Sequence, residues 1–311
     1  MRILVTNDDG VRAPGIAALA RAAIETGHEV VVVAPMVNHS GAGAAVGPVH
    51  SRGGVDYEGH VLAELPDVAA FGIDGPPALA VILACVGGFG ARPDLVLSGI
   101  NDGANVGRSV LHSGTVGAAL TAAHFGLRSL AVSIRYGSDP VPWETPAALA
   151  SALVPALVDA PAGTVLNLNV PDVALDELLG IRHGHLGRSG AIRSAVLDGS
   201  STFDTGTALI SEPGPPSGAY HGSGPEPGSR PRPHVALPPM DGGTLRLDLA
   251  PPARGSATDD LSTDSALVAN GYASLTALVG VHEADGAHVP AIEPFVEAAQ
   301  TAIRALQAPA T

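Results

Sequence analysis

ILVTNDDG, residues 3–10, runs four apolar or β-branched residues straight into Asn7, two adjacent carboxylates and a glycine. A short, continuous run of this kind is the pattern of a strand buried on both faces. EVVVVA at 29–34 repeats it. Between them, PGIAALARAAIETG (14–27) has Pro14 near its start, Gly27 past its end, and Ile16, Leu19, Ala20 and Ala23 at helical spacing. Strand, helix, strand is the opening of a parallel sheet, and the alternation recurs. Helices are predicted near 76–87, 114–125 and 145–158, and strands at 94–98, 129–134 and 164–170. The chain therefore reads as α/β, a mostly parallel sheet with helices on both faces.

Beyond about residue 180 the pattern changes. Residues 211–234 carry seven Pro and five Gly and read as a flexible loop or arm. A strand at 244–249, a short helix near 263–270, a strand in YASLTALV and a last helix around 291–306 are predicted after it. The expected organisation is a core over 1–180, a variable hairpin and loop region over 181–262, and a segment over 263–311 that returns to the core and carries an oligomerisation tail.

At 311 residues and 46% hydrophobic, the chain can bury a sizeable core. No apolar run approaches the roughly 20 residues that span a bilayer, and the chain enters a strand pattern at once, so no membrane association and a cytoplasmic location are expected. A net charge of -14 without cationic clusters disfavours nucleic acid as a polymeric partner. The sixteen cations are all Arg; without Lys, a phosphate-loop lysine and a lysine Schiff base are both excluded. The one cysteine, Cys85, sits in the apolar run ALAVILACV and reads as core packing; it excludes disulfides within the chain and thiolate metal clusters.

Ligands of open parallel sheets bind beyond the carboxyl ends of the strands. Three polar clusters fall at such ends: Asn7, Asp8 and Asp9; Asn38, His39 and Ser40; and Asn101 with Asn105. Two carboxylates, a hydroxyl and an amide oxygen suit a hard divalent cation, Mg2+ or Mn2+, better than zinc. A cation would also relieve the repulsion between Asp8 and Asp9; the bland alternative is a polar turn with one Asp as helix cap. Ser113-Gly114-Thr115 opens an apolar helix, where unpaired N–H donors favour a phosphate, although simple capping by Ser113 accounts for the same residues. His39 and His112 neighbour these positions and are candidates for a general acid. His183, His185, His221 and His234 have no site spacing, and Tyr220, Arg230 and Arg232 read as loop decoration.

ILVTNDDG, VVAPMVNHSG, PDLVLSGINDGANVG and SGTVGAAL, in this order, resemble the SurE family of metal-dependent nucleotidases and phosphatases. The resemblance is close over 1–135 and returns in LNLNVP (166–171) and TDSALVANGYASLTAL (263–278). It implies a three-layer Rossmann-like core with a C-terminal extension exchanged between subunits of a homodimer or homotetramer. It also implies hydrolysis of a small phosphate ester: nucleoside 5'- and 3'-monophosphates, sometimes short polyphosphate. On matching positions the metal ligands are Asp8, Asp9, Ser40 and Asn101, with Asp8 and Asp9 catalytic. Asn105, Ser113, Gly114 and Thr115 hold the phosphate, and Asn7 supports the first loop and the phosphate subsite. The chain departs from the family pattern at Met36 and Val37, in GPPAL (75–79) and at Thr121. Two rival readings stand beside this one: a metal- and nucleotide-binding module without turnover, and a metal-dependent glycosyltransferase.

Overall fold

The computed structural model describes residues 1–49, 53–187, 192–197, 245–249 and 261–280, with the backbone alone in 192–197 and 245–249. The chain divides into one unit of residues 1–189 with 254–311, and a second of residues 190–253.

The first unit is built on a nine-stranded sheet. The opening run forms β1 (Arg2–Thr6), followed by α1 (Pro14–Glu25) and β2 (Glu29–Pro35). Next come β3 (Tyr57–Leu62), β4 (Leu65–Ile73), α2 (Pro77–Cys85), β5 (Leu95–Asp102) and α3 (Gly114–His124). Then follow β6 (Arg128–Ile134), α4 (Glu144–Asp159), β7 (Val165–Val170) and β8 (Ile181–His183). The second unit contributes β9 (Ile192–Leu197) and β10 (Leu245–Leu249), an antiparallel pair. The chain re-enters the first unit with α5 (Asp264–Ala269) and β11 (Ala273–Leu278).

The sheet order is β3-β4-β2-β1-β5-β6-β7-β11-β8. From β4 through β7 every neighbouring pair is parallel, as the buried apolar runs require. Two features at the flanks lie beyond what the sequence reading of a mostly parallel sheet specified. The hairpin β3-β4, which no pattern signalled because its burial is mixed, adds an antiparallel edge. The late strand β11 pairs antiparallel with β7. The predicted helix at 291–306 and the loop at 211–234 lie outside the described residues.

Alternation along the strands divides the core between two faces. Ile3 and Val5 pack with Ile16 and Leu19 of α1 and with Val154 and Leu157 of α4. Leu4, Val31, Val33 and Val96 face α2 and α3 through Leu79, Val81, Ala118 and Ala122. Cys85 belongs to this second face and is buried, the packing role read from its sequence context.

Small residues let helices approach backbone closely. Gly15 in α1 leaves no room for a methyl group: a Cβ there would stand 2.1 Å from the Ile100 carbonyl oxygen and 3.0 Å from the Trp143 ring. Because the nearest obstacle is backbone at the end of β5, Gly15→Ala is expected to destabilise the protein by about 2 kcal/mol or more, measured by urea unfolding.

The strand order reverses between β1 and β5, since the chain first builds outward through β2 and β4 and then returns to build the other side. Ligands bind at such a switch point, beyond the carboxyl ends of the two strands. The ends of β1 and β5 carry Asp8 and Asp9, and Asn101 and Asp102.

Candidate active site

The loop after β1 holds itself in shape. Asn7 is fully buried; its Oδ1 accepts from the Gly10 N–H (3.1 Å) and its Nδ2 donates to the Gly10 carbonyl (3.0 Å). The Asn7 amide is thus engaged in the turn that presents Asp8 and Asp9. Gly10, at φ +109°, is where that turn needs a residue without a side chain.

Asp8 is 3% exposed and lies against the start of α3. The Thr115 hydroxyl donates to its Oδ1 (2.5 Å), and a Cβ on Gly114 would meet the Asp8 Oδ2 at 2.8 Å. The carboxylate is therefore seated on the helix N-terminus, where the helix dipole favours negative charge. Ser113 caps α3 by accepting from the Val116 N–H (3.1 Å). The Gly114 and Thr115 N–H groups find no acceptor among the described residues. The stretch read as a phosphate turn thus does three things: Ser113 caps, Gly114 and Thr115 seat Asp8, and two N–H donors remain for an anion.

Asp9 connects the other two clusters. Asn38 Nδ2 donates to its Oδ1 (3.2 Å) and the Asp102 N–H to its Oδ2 (3.3 Å). Asn38 Oδ1 in turn accepts from the Ser40 N–H (2.8 Å), which holds the Ser40 loop beside Asp9. The His39 N–H donates to the Asp8 carbonyl (2.7 Å), and the Gly43 N–H to the His112 carbonyl (3.0 Å), so this loop is stitched to both neighbours. Asn101 Nδ2 donates to the Gly103 carbonyl (2.6 Å), a bond that fixes the amide.

Asn105 sits in a network of amides. Its N–H donates to Asn169 Oδ1 (2.7 Å), its Nδ2 donates to Ser133 Oγ (2.8 Å), and its carbonyl accepts from Asn167 and Asn169. Asn167 and Asn169 are not among the candidate residues of the sequence; their N-L-N spacing, which puts both amides on one face of β7, is the signal for their role. The contact of Asp9 with the Asp102 N–H had no such signal, because it depends on how β1 and β5 end side by side. At the departures from the family pattern, Thr121 Oγ1 donates to the Gly117 carbonyl within α3 (2.7 Å), and Val37 is exposed.

Burial first, and then the neighbouring Asp8 charge, push the Asp9 carboxyl up to about 6, against the lowering effect of the hydrogen bonds from Asp102 and Asn38. Asp102 is likewise raised, by burial and by Asp172. Among the described residues no ion pair involves Asp8 or Asp9, so their charge has no cationic side chain to offset it. Nor, among the described residues, is any group of three or more His, Cys, Asp or Glu side chains arranged to hold a metal ion. A metal at this site therefore depends on hydroxyl and amide oxygens beside the two carboxylates, a donor set that fits a hard cation such as Mg2+ or Mn2+.

The sign of the Asp9 effect on stability follows directly. A carboxyl whose folded pKa is raised binds its proton more tightly in the folded state, so stability is present below the unfolded pKa near 4 and lost as pH rises through about 6. Thermal melts in EDTA should show the midpoint falling between about pH 4 and pH 6, and Asp9→Asn should remove that part of the fall.

A family profile described as Survival protein SurE matches residues 3–192. The 5'-nucleotidase SurE of Xylella fastidiosa (strain M12) is 40% identical over 193 residues, 60% of this chain and 70% of that protein. The 5'/3'-nucleotidase SurE of Cronobacter sakazakii is 43% identical over 185 residues, 58% of this chain and 68% of that protein. In three dimensions, the crystal structure of the SurE protein from Aquifex aeolicus aligns with a TM-score of 0.62 at 25% identity, covering 90% of this chain and 93% of that one. With the profile spanning more than half of the chain, including the loops that carry Asp8, Asp9, Asn101 and Thr115, this chain belongs to the SurE family.

Proposed function

We propose that the protein hydrolyses nucleoside 5'- and 3'-monophosphates to nucleoside and inorganic phosphate, with Mg2+ or Mn2+ held by Asp8, Asp9, Ser40 and Asn101. The observation that carries this reading is the meeting of Asp8 with the N-terminus of α3, where two N–H donors stand beside a buried carboxylate. A phosphate brought to those donors would be an anion next to an anion, an arrangement that requires a cation between them. Relatives named as nucleotidases support the substrate class.

When bound, the metal supplies Lewis-acid polarisation of a phosphoryl oxygen and a more acidic attacking water. The chain's own residues do the positioning. Thr115 holds Asp8 in one orientation, so that its carboxylate directs the water in line with the leaving oxygen. The Gly114 and Thr115 N–H groups receive the equatorial phosphoryl oxygens, where charge builds in the transition state. Asn105 anchors the start of the segment that leads to Gly114 and Thr115, and Asn7 acts through the loop that carries the two aspartates. His39 and His112, on loops joined by the bond from the Gly43 N–H to the His112 carbonyl, are the candidates for protonating the leaving nucleoside oxygen.

The test is phosphate release from 5'-AMP, 3'-AMP, polyphosphate and p-nitrophenyl phosphate with Mg2+, Mn2+ or EDTA. Turnover of the nucleotides with metal and none in EDTA is expected; AMP binding without release would instead identify a non-catalytic module. Assembly as a homodimer or homotetramer belongs to the same reading and is checked by light scattering. A cytoplasmic location is checked by fractionation; no helix among the described residues is long and apolar enough to cross a membrane.

A further inference from the structure

Asp264 lies outside the residues matched by the family profile and outside the metal and phosphate cluster, yet it is fully buried. Its Oδ2 accepts from the Gly107 N–H (2.7 Å), and its Oδ1 from the N–H groups of Gly187 (2.9 Å) and Ser265 (2.7 Å). Among the described residues no ion pair involves it. A carboxylate withdrawn from water is tolerated only when its lone pairs are filled, and here three charge-assisted bonds do so, two from distant segments and one from the next residue of its own helix. All three partners are donors, so the position demands a group that only accepts.

The segment reached through Gly107 is the wall of the site. Gly107 opens the 3-10 turn Gly107–His112, which runs directly into Ser113, Gly114 and Thr115. Two residues before Gly107, Asn105 is held by Asn167 and Asn169 of β7. Residues 105–115 are thus pinned at Asn105 by β7, at Gly107 by Asp264 and at Thr115 by Asp8. The same carboxylate also holds the outgoing chain through the Gly187 N–H, and two backbone bonds, His185 N–H to the Ser262 carbonyl and Asp264 N–H to the His185 carbonyl, tie the outgoing and returning segments together beside it. We propose that Asp264 is a positioning residue for the 105–115 wall, coupling the returning C-terminal segment to the groups that face the substrate.

The activity part of the test rests on the nucleotidase reading, and the exchange part does not. In full-length Asp264→Asn, an amide NH2 replaces one acceptor against a backbone N–H. Hydrogen exchange over residues 103–112 should quicken by about tenfold or more while α1 and β1 keep their protection. On 5'-AMP with Mn2+, kcat/KM should fall by about tenfold. In an Asn105→Ala background the same change should add less than about twofold, because both substitutions loosen one wall. A purely structural role predicts equal losses in both backgrounds; that result, or unchanged exchange over 103–112, overturns the proposal.

Should the variant not fold, the wild-type protein decides. Saturating 5'-AMP with Mn2+ should slow exchange in 185–187 and 262–267 as well as in 7–10 and 113–115, and slowing at the site alone overturns the coupling. If AMP slows exchange nowhere, the nucleotidase reading fails; a folded Asp264→Asn protein then judges the wall by its exchange over 103–112, and where that variant does not fold the same result overturns the coupling as well.

Discussion

Asp8→Asn should release phosphate from 5'-AMP at least about a thousandfold more slowly than the parent while keeping its fold. The two side chains have nearly the same shape, and the amide oxygen of Asn can still accept from the Thr115 hydroxyl, so the seat on α3 survives. What disappears is a full negative charge from the proposed donor set, which has only two carboxylates. A hard cation loses most of its attraction when half of that charge is removed. The stability change should be small, because a carboxylate at a helix N-terminus contributes only about 0.3–1 kcal/mol. Steady-state kinetics and a thermal melt on the same preparation separate the two effects. A variant within about tenfold of the parent would sink the assignment of Asp8.

Gly114→Ala tests the same seat from the helix side and should cost about a hundredfold or more in kcat. The added methyl carbon would stand 2.7 Å from the Asp8 Cβ and 2.8 Å from its Oδ2. Asp8 has little room to yield, being buried and held by Thr115. The helix has little room to retreat either, since Gly117 one turn on is so close to the Gly43 backbone that a Cβ there would lie 2.3 Å from its carbonyl oxygen. Strain therefore falls on the Asp8 carboxylate, and a displacement of under 1 Å is enough to lose about two orders of magnitude when positioning carries the catalysis. An accompanying loss of about 1–3 kcal/mol in urea unfolding is expected from overpacking. Gly59→Ala on β3, where a Cβ would meet nothing within 4 Å, is the control and should leave kcat unchanged.

The central fold was legible because its determinants are local. Continuous Val- and Ile-rich runs separated by helices with Pro at the start predict a parallel α/β core, and β1, α1, β2, β5, α3, β6, α4 and β7 occupy those positions to within a few residues. The hairpin β3-β4 was not legible, since an edge strand with mixed burial carries no sharp period. The direction of β11 was hidden for another reason: pairing partners across more than a hundred residues of chain leave no local mark.

The residue types of the candidate site were visible in ILVTNDDG and in the clusters after the second and third strands. By themselves these residues determined that acidic and amide side chains stand at the carboxyl end of a parallel sheet, since strand ends in that topology lie side by side whatever the loops contain. Only the tertiary structure decided which atom meets which. It placed Asp8 on Gly114 and Thr115, Asp9 against the Asp102 N–H, and Asp264 on Gly107 across 157 residues. Those contacts depend on the reversal of strand order between β1 and β5 and on the return of the C-terminal segment, and both are properties of the packed sheet that no stretch of chain carries alone.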